Sequence, residues 1–233
     1  MPVYKIAGIN VLYNPKYKTL KTQSEAYICN EEHIDFEISI SDEFLTERQR
    51  EFPHLSLDDC EYIYTGAAFY EKCLDYGCFL LHSSAVALDG NAYIFSAPSG
   101  TGKSTHTSLW LKNFKDAFII NDDKPAIKMI DNKFFVYGTP FSGKTDLNRN
   151  VCVPLKGICI LDRASENTIE KIKPKDAVLP ILNQTVRPGD KMHLLMNLLT
   201  KLLETTNVYK LFCNMSDEAA VISYNTMRKE DNK

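Results

Sequence analysis

The residues Ala97-Pro98-Ser99-Gly100-Thr101-Gly102-Lys103-Ser104-Thr105 concentrate side chains and backbone freedom suited to holding phosphate. The first eight match the pattern G-x-x-x-x-G-K-[ST], with Ala97 in place of the first glycine. Gly100 and Gly102 let the backbone turn its N–H groups inward around phosphate oxygens. Lys103 supplies charge for the β and γ groups, and the Ser104 hydroxyl can ligate Mg²⁺. A helix opening at Ser104 would add its positive end to the anion. A decorative Gly/Ser turn is the bland alternative. The strand before the loop and the helix after it favour nucleotide binding.

Five further positions could complete a phosphoryl-transfer site. Asp122 and Asp123 follow Phe118-Ile-Ile-Asn121, at the carboxyl end of a predicted strand, where ligands of α/β sheets bind. One carboxylate could hold Mg²⁺ and the other accept a proton from an attacking hydroxyl. A solvated turn before Pro125 is the alternative. His82 is a lone histidine on a strand, more often a bystander than a catalyst, but its predicted register brings it against the phosphate loop. Lys144, in Gly138-Thr-Pro-Phe-Ser-Gly-Lys144, and Arg187, in Thr185-Val-Arg-Pro-Gly189, are candidate phosphate or acceptor contacts, weighed against ordinary surface turns.

The elements that must position these groups are partly legible. Cys78–Leu88 and Asn91–Ser96 read as two strands joined by Asp89-Gly90, a preferred type I′ turn. That turn pairs Leu88 with Asn91, Val86 with Tyr93 and Ser84 with Phe95, and sets His82 opposite Ala97. A helix is expected over Ser104–Lys112, strands over Ala117–Asn121 and Leu155–Leu161, and a hairpin over Ala126–Ile130 and Lys133–Tyr137. Helices follow at 190–204 and 216–228, with Asp190 and Ser216 as candidate N-caps. Upstream, residues 1–40 read as a small set of strands, and 58–76 as a helix stopped by Gly77. The division expected is an N-terminal β-rich extension with its helix over 1–77 and a P-loop core over 78–233. The fold class is α/β, a mixed sheet with helices against it.

Composition excludes several classes. A net charge of −3, from 27 Lys+Arg against 30 Asp+Glu, provides no global basic field for nucleic acid or anionic lipid. The apolar runs are far shorter than the roughly 20 residues that span a bilayer, and the first residues carry no apolar signal stretch. No membrane or nucleic-acid partner is expected, and the location expected is cytoplasmic. Seven cysteines, with no C-x-x-C pair, read as small buried hydrophobes rather than a disulfide framework or a zinc site.

Leu81-His82-Ser-Ser-Ala-Val-Ala-Leu-Asp-Gly-Asn-Ala-Tyr-Ile-Phe-Ser-Ala-Pro-Ser-Gly-Thr-Gly-Lys-Ser104, followed by Asn121-Asp-Asp123, resembles the HPr kinase/phosphorylase family. The whole chain looks more like the smaller HPr-kinase-like proteins, with the 138–144 loop and Cys213-Asn-Met-Ser-Asp-Glu-Ala219 adding to the match. The resemblance covers about residues 78–225 and implies a mixed sheet of the HPr kinase / phosphoenolpyruvate carboxykinase type. It also implies roles: Asp123 as proton acceptor, Lys103 on the phosphates, Ser104 on Mg²⁺, Asp122 as companion carboxylate and His82 as the active-site histidine. Thr105 stands where full-length members carry Glu, so phosphorolysis is expected to be feeble or absent.

The expected activity is ATP- and Mg²⁺-dependent transfer of the γ-phosphate to a hydroxyl acceptor: serine of a peptide or protein, or free serine as a small molecule. Two alternatives are a nucleotide-binding regulator without transfer and a carboxykinase-like enzyme acting on a small oxyacid. Full-length relatives form homo-oligomers, and no seam for such assembly is readable in this chain.

Overall fold

The computed structural model describes residues 1–229, so residues 230–233 of the expected core lie outside the described residues. The chain begins with a four-stranded sheet, order β3-β1-β2-β4, made of β1 (Val3–Ile6), β2 (Ile9–Leu12), β3 (Ile28–Cys29) and β4 (Phe36–Glu37). Alternation along β1 and β2 buries Tyr4, Ile6, Ile9 and Val11 on one face. The strands expected in this region are present. They are interrupted by a helix that local pattern did not signal, α1 (Lys18–Ser24).

The start of α1 is capped from a distance. Its N-cap, Tyr17, makes no side-chain cap bond. Instead Glu61 accepts from the backbone N–H groups of Lys16 (2.7 Å) and Tyr17 (2.9 Å), and Asp58 from that of Thr19 (3.0 Å). These carboxylates satisfy donors that a free helix end leaves unpaired. Both belong to α3 (Leu57–Lys72), which follows α2 (Asp42–Glu51), a second helix not anticipated from the sequence. A reciprocal Ser56/Asp59 capping box opens α3. The helix runs on into a 3₁₀ turn at Cys73–Tyr76, where Gly77, in the left-handed region, ends it as expected.

Among the described residues the main sheet has nine strands. Along its path the order is β5-β9-β10-β11-β7-β6-β8, formed by β5 (Cys78–Leu80), β6 (Ser83–Leu88), β7 (Asn91–Ser96), β8 (Phe118–Asn121), β9 (Ala126–Ile130), β10 (Lys133–Tyr137) and β11 (Cys152–Arg163). β13 (Asn207–Cys213) pairs with both β11 and β12 (Thr168–Lys171). β7, β11 and β13 run parallel, and the remaining pairings are antiparallel. β11 outruns the expected Leu155–Leu161 because it serves three neighbours. Its first residues pair with β10, and its later ones lie between β7 and β13. The β6–β7 register is the one expected from the Asp89-Gly90 turn, with Leu88 opposite Asn91 and Ser84 opposite Phe95. The run Cys78–Leu88 is not one strand, however. It breaks at Leu81–His82, where the chain leaves β9 and joins β7 and β8.

Period-two alternation gives the sheet two apolar faces. One side carries Ile94, Ile158 and Val208 under α5 (Pro174–Leu182) and α6 (Met192–Thr205), whose Leu195, Leu199 and Leu202 are buried. The other carries Tyr93, Phe95 and Cys159 under α4 (Lys103–Asn113) and α7 (Asp217–Met227), with Trp110 at the centre. The α6 helix begins at Met192 with Lys191 at its N-cap, so Asp190 is not the cap. Ser216 does occupy the N-cap of α7 but makes no cap bond to it; its Oγ is bonded by Asn167 instead. A third apolar cluster joins Tyr4, Ile6 and Tyr27 to Leu80, Ala126 and Phe141, so packing continues across residue 77.

Candidate functional site

Strand direction gathers the chemistry at one edge of the sheet. β7 ends at Ser96, β6, antiparallel to it, begins at Ser83, and β8, antiparallel to β6, ends at Asn121. The 97–102 loop, His82 and the Asp122–Asp123 pair therefore meet at that edge. They line a cleft of about 500 Å³ with Ser99, Gly100, Gly102, Lys103, Ser104, Thr105, Ser142, Gly143 and Lys144. Of the sequence candidates, Arg187 alone stands apart among the charged groups. It is exposed, two residues beyond Thr185, which bridges Leu81, and does not line the cleft. Ala97 is buried under the loop and Pro98 is exposed beside it; Thr101 faces the opposite slot.

The loop lies between strand and helix as expected. Gly100 (φ 78°) and Gly102 (φ 120°) adopt backbone angles that L-residues avoid, although a Cβ at either would meet nothing. Conformation rather than space demands glycine here. Gly102 is the N-cap of α4 and offers no side-chain acceptor, leaving the helix's first N–H groups for an anion. Lys103 is buried, and its Nζ donates to the carbonyls of Ala97 (2.9 Å) and Pro98 (3.4 Å). Burial draws its pKa below the ordinary lysine value, with Asp123 opposing that shift. Arg163 holds the outer side of the loop, donating through Nε to Thr101 O (3.0 Å) and through Nη2 to Gly100 O.

Asp123 is held by groups from several elements. Its N–H donates to Asn121 Oδ1 (2.9 Å), and its carbonyl accepts from Ser83 N (3.0 Å). Asn121 is itself buried, bonded to Thr139. The Asp123 carboxylate lies 3.1 Å from Lys124 Nζ and 3.4 Å from His82 Nε2. His82 Nδ1 is 3.0 Å from Gln184 Oε1. An amide oxygen only accepts, so Nδ1 carries the proton and Nε2 of a neutral ring turns a lone pair toward Asp123. Burial, then Lys124 and Lys103, push the His82 pKa below the usual histidine value. The ring is therefore neutral near pH 7 and ready to share a proton arriving at Asp123.

Asp122 plays a different part. It is buried, and its Oδ1 accepts from Ser84 Oγ (2.6 Å), which also pairs with Thr107 Oγ1 (2.9 Å). Asp122 and the exposed Ser104 both line the cleft. Among the described residues no three His, Cys, Asp or Glu side chains cluster as metal ligands. One carboxylate, one hydroxyl and substrate phosphates make an oxygen donor set that fits Mg²⁺.

The second Gly/Ser/Lys loop closes the cleft and is clamped from the N-terminal side. Gln23 Nε2 donates to Gly143 O (3.0 Å), Ser142 Oγ donates to Gln23 Oε1 (3.1 Å), and Gly143 N donates to Tyr62 Oη (2.9 Å). Gly143 (φ 70°) packs directly on Asp123, where an added Cβ would come within 3.1 Å of the Asp123 Cβ. Lys124, Asn121, Ser84, Gln184, Arg163, Gln23 and Tyr62 were not singled out from the sequence. Only Lys124 and Asn121, flanking the Asp pair, carried a local hint.

Comparison with known proteins is decided by a family model described as SynChlorMet cassette protein ScmC, which matches residues 63–221, over half of the chain. The chain belongs to the ScmC family. No curated protein matches it. One similar solved structure is the Hpr(Ser) kinase/phosphatase from Coxiella burnetii, at 10% identity and a TM-score of 0.38, covering 63% of this chain and 93% of that one. A likeness that loose leaves the site of this ScmC family member to be argued from its own residues.

Proposed function

We propose that the chain is an ATP-dependent, Mg²⁺-requiring phosphotransferase that moves the γ-phosphate to a hydroxyl acceptor, a serine of a peptide or protein or free serine. The observation that carries this reading is a phosphate-type loop opening on the same cleft as Asp123, which lies 3.4 Å from a neutral histidine. Loop N–H groups, the start of α4 and Lys103 would hold the phosphates. An apolar slot of about 410 Å³ on the far side of the loop, walled by Leu109, Leu161, Ala164 and Met215, suits a nucleobase. It lies at the carboxyl ends of β7, β11 and β13, where α/β sheets bind ligands.

In the transfer, the acceptor oxygen attacks the γ-phosphorus as the bridging β–γ P–O bond breaks and ADP leaves. The hydroxyl proton passes to Asp123, and His82 Nε2 accepts a hydrogen bond from the protonated carboxyl. Mg²⁺, when held by Ser104, Asp122 and the phosphates, would neutralise charge on the transferring group. Lys144, which lines the cleft, would contact the γ-phosphate or the acceptor.

The test is γ-labelled ATP with Mg²⁺ and hydroxyl acceptors, comparing wild type with Asp123→Asn. Asparagine keeps the size of Asp but is no base. General-base catalysis contributes about 10²–10⁴-fold, so transfer should fall by at least about 100-fold while ATP affinity stays near normal. Transfer at the wild-type rate in Asp123→Asn would remove Asp123 as the base. ATP binding with no transfer to any acceptor would leave a nucleotide-binding regulator instead.

A further inference from the structure

A second and larger cleft, of about 910 Å³, lies on the other side of the Gly143 ridge. Its walls come from α1, the turn before α3, the first part of α3 itself, and residues 143, 144 and 146. Gly143 and Lys144 line both clefts, so one residue's thickness separates this space from Asp123. Resting on the phosphotransferase reading above, we propose that this cleft binds the acceptor. The acceptor class is a peptide segment in extended conformation that presents its hydroxyl residue across Lys144 to Asp123.

The walls are fixed before anything binds. Tyr62 and Gln23, from the two wall helices, grip the ridge through Gly143, and Asp58 and Glu61 fasten α1 to α3. A site built on helices that are already bonded together loses little order on binding. Leu55 and Ile63, the latter 44% exposed, offer apolar contact beside Thr19 and Asp59, whose polar groups are already bonded to Asp58 and Ser56. Lys18 and Lys144 carry no ion pair among the described residues, which leaves two cations for acceptor carbonyls or acidic flanks. Size speaks against a lone amino acid. Free serine, on the order of 100 Å³ by comparison with about 30 Å³ per water in the liquid, would leave most of the cleft to solvent. Ile63 would then have no counterpart.

The experiment uses the full chain with γ-labelled ATP, Mg²⁺ and two acceptors at equal serine concentration: short serine-centred peptides with randomised flanks, and free serine. Wild type should label peptides and leave free serine unlabelled. Ile63→Lys changes an exposed side chain in the proposed groove and should lower kcat/KM for peptides by about tenfold or more, a cost near 1.4 kcal/mol. Its ATP dissociation constant and melting temperature should match wild type. Leu55→Asp, in the turn before α3, should act in the same direction. Label in free serine but not in peptides, or peptide labelling unchanged in both variants, would overturn the peptide assignment alone. Intact ATP binding with label in neither acceptor would overturn the phosphotransferase reading, and this assignment with it.

Discussion

His106, on the helix that follows the 97–102 loop, makes the fold sensitive to acid. The ring is 3% exposed and packs at a tilt against Phe95, with the ring centroids 4.4 Å apart. Its Nε2 accepts from Trp110 Nε1 (3.2 Å) and lies 3.2 Å from Ser223 Oγ, while Nδ1 is buried without a partner. Burial pushes its pKa down to about 4. In the unfolded chain the ring titrates near the ordinary value of about 6.5. Between those two values the unfolded state binds a proton that the folded state refuses, so stability rises with pH through that window and falls as pH drops. At pH 5, one and a half units into the window, the loss is about 2 kcal/mol at about 1.36 kcal/mol per unit. The assay is urea unfolding of wild type and His106→Gln at pH 7.5 and pH 5. His82, whose pKa is also lowered, and the carboxylates titrate in both proteins and cancel in the difference. His106→Gln should be less stable at pH 7.5, because packing and the Trp110 contact suffer. The gap should narrow by about 2 kcal/mol at pH 5. An equal pH dependence in the two proteins would refute a neutral buried His106.

Gly143→Ala places a Cβ at a φ of 70° and 3.1 Å from Asp123; the left-handed conformation alone costs about 1–2 kcal/mol, read as a lower thermal midpoint. Displacement of Asp123 should lower transfer by about tenfold or more with ATP affinity nearly unchanged, since misplacement of about 1 Å costs up to about 100-fold. A wild-type turnover in Gly143→Ala would show that the ridge does not position Asp123. The His82 pKa lies below the usual histidine value, so transfer should stay level from pH 8 to about 6.5 and decline only below, as the ring becomes a cation and Nε2 can no longer accept a proton. His82→Ala should lower the plateau and remove that acid limb; a limb of the same shape in the variant would assign it elsewhere.

Local chemistry accounts for what was legible in the sequence. The Asp89-Gly90 and Asp131-Asn132 turns adopt positive φ at both central residues, so each set its hairpin register without help from the rest of the fold. The phosphate-type loop, His82 and Asp122–Asp123 were found together because strand direction follows from those hairpins. What escaped depends on partners distant in sequence. Helix α1 owes its start to Asp58 and Glu61, and Gln184 reaches His82 through a bridge between Leu81 and Thr185. The break at Leu81–His82 escaped for a similar reason. No Gly or Pro marks the run, and its division between β9 and β7 is set by the rest of the sheet.

That break has a consequence for how the cleft works. At Leu81–His82 the chain belongs to neither strand, so the His82 backbone is fixed by other means: its N–H donates to Gln184 O (2.8 Å) and its carbonyl accepts from Ser96 Oγ (3.0 Å). Ser96 is the last residue of β7, directly before the phosphate loop. The next residue, Ser83, donates its N–H to the carbonyl of Asp123. Two successive residues thus tie the end of β7 to the Asp123 backbone, one through the short Ser96 hydroxyl and the other through the Ser83 N–H. Such bonds are short and have few rotamers to lose, which is what a reaction dependent on sub-ångström placement of donor phosphate and base requires. On the phosphotransferase reading proposed above, a loop that only sensed nucleotide would have no need of a link to an aspartate beyond it. Weighed together with the neutral ring at Nε2, that coupling favours transfer over sensing.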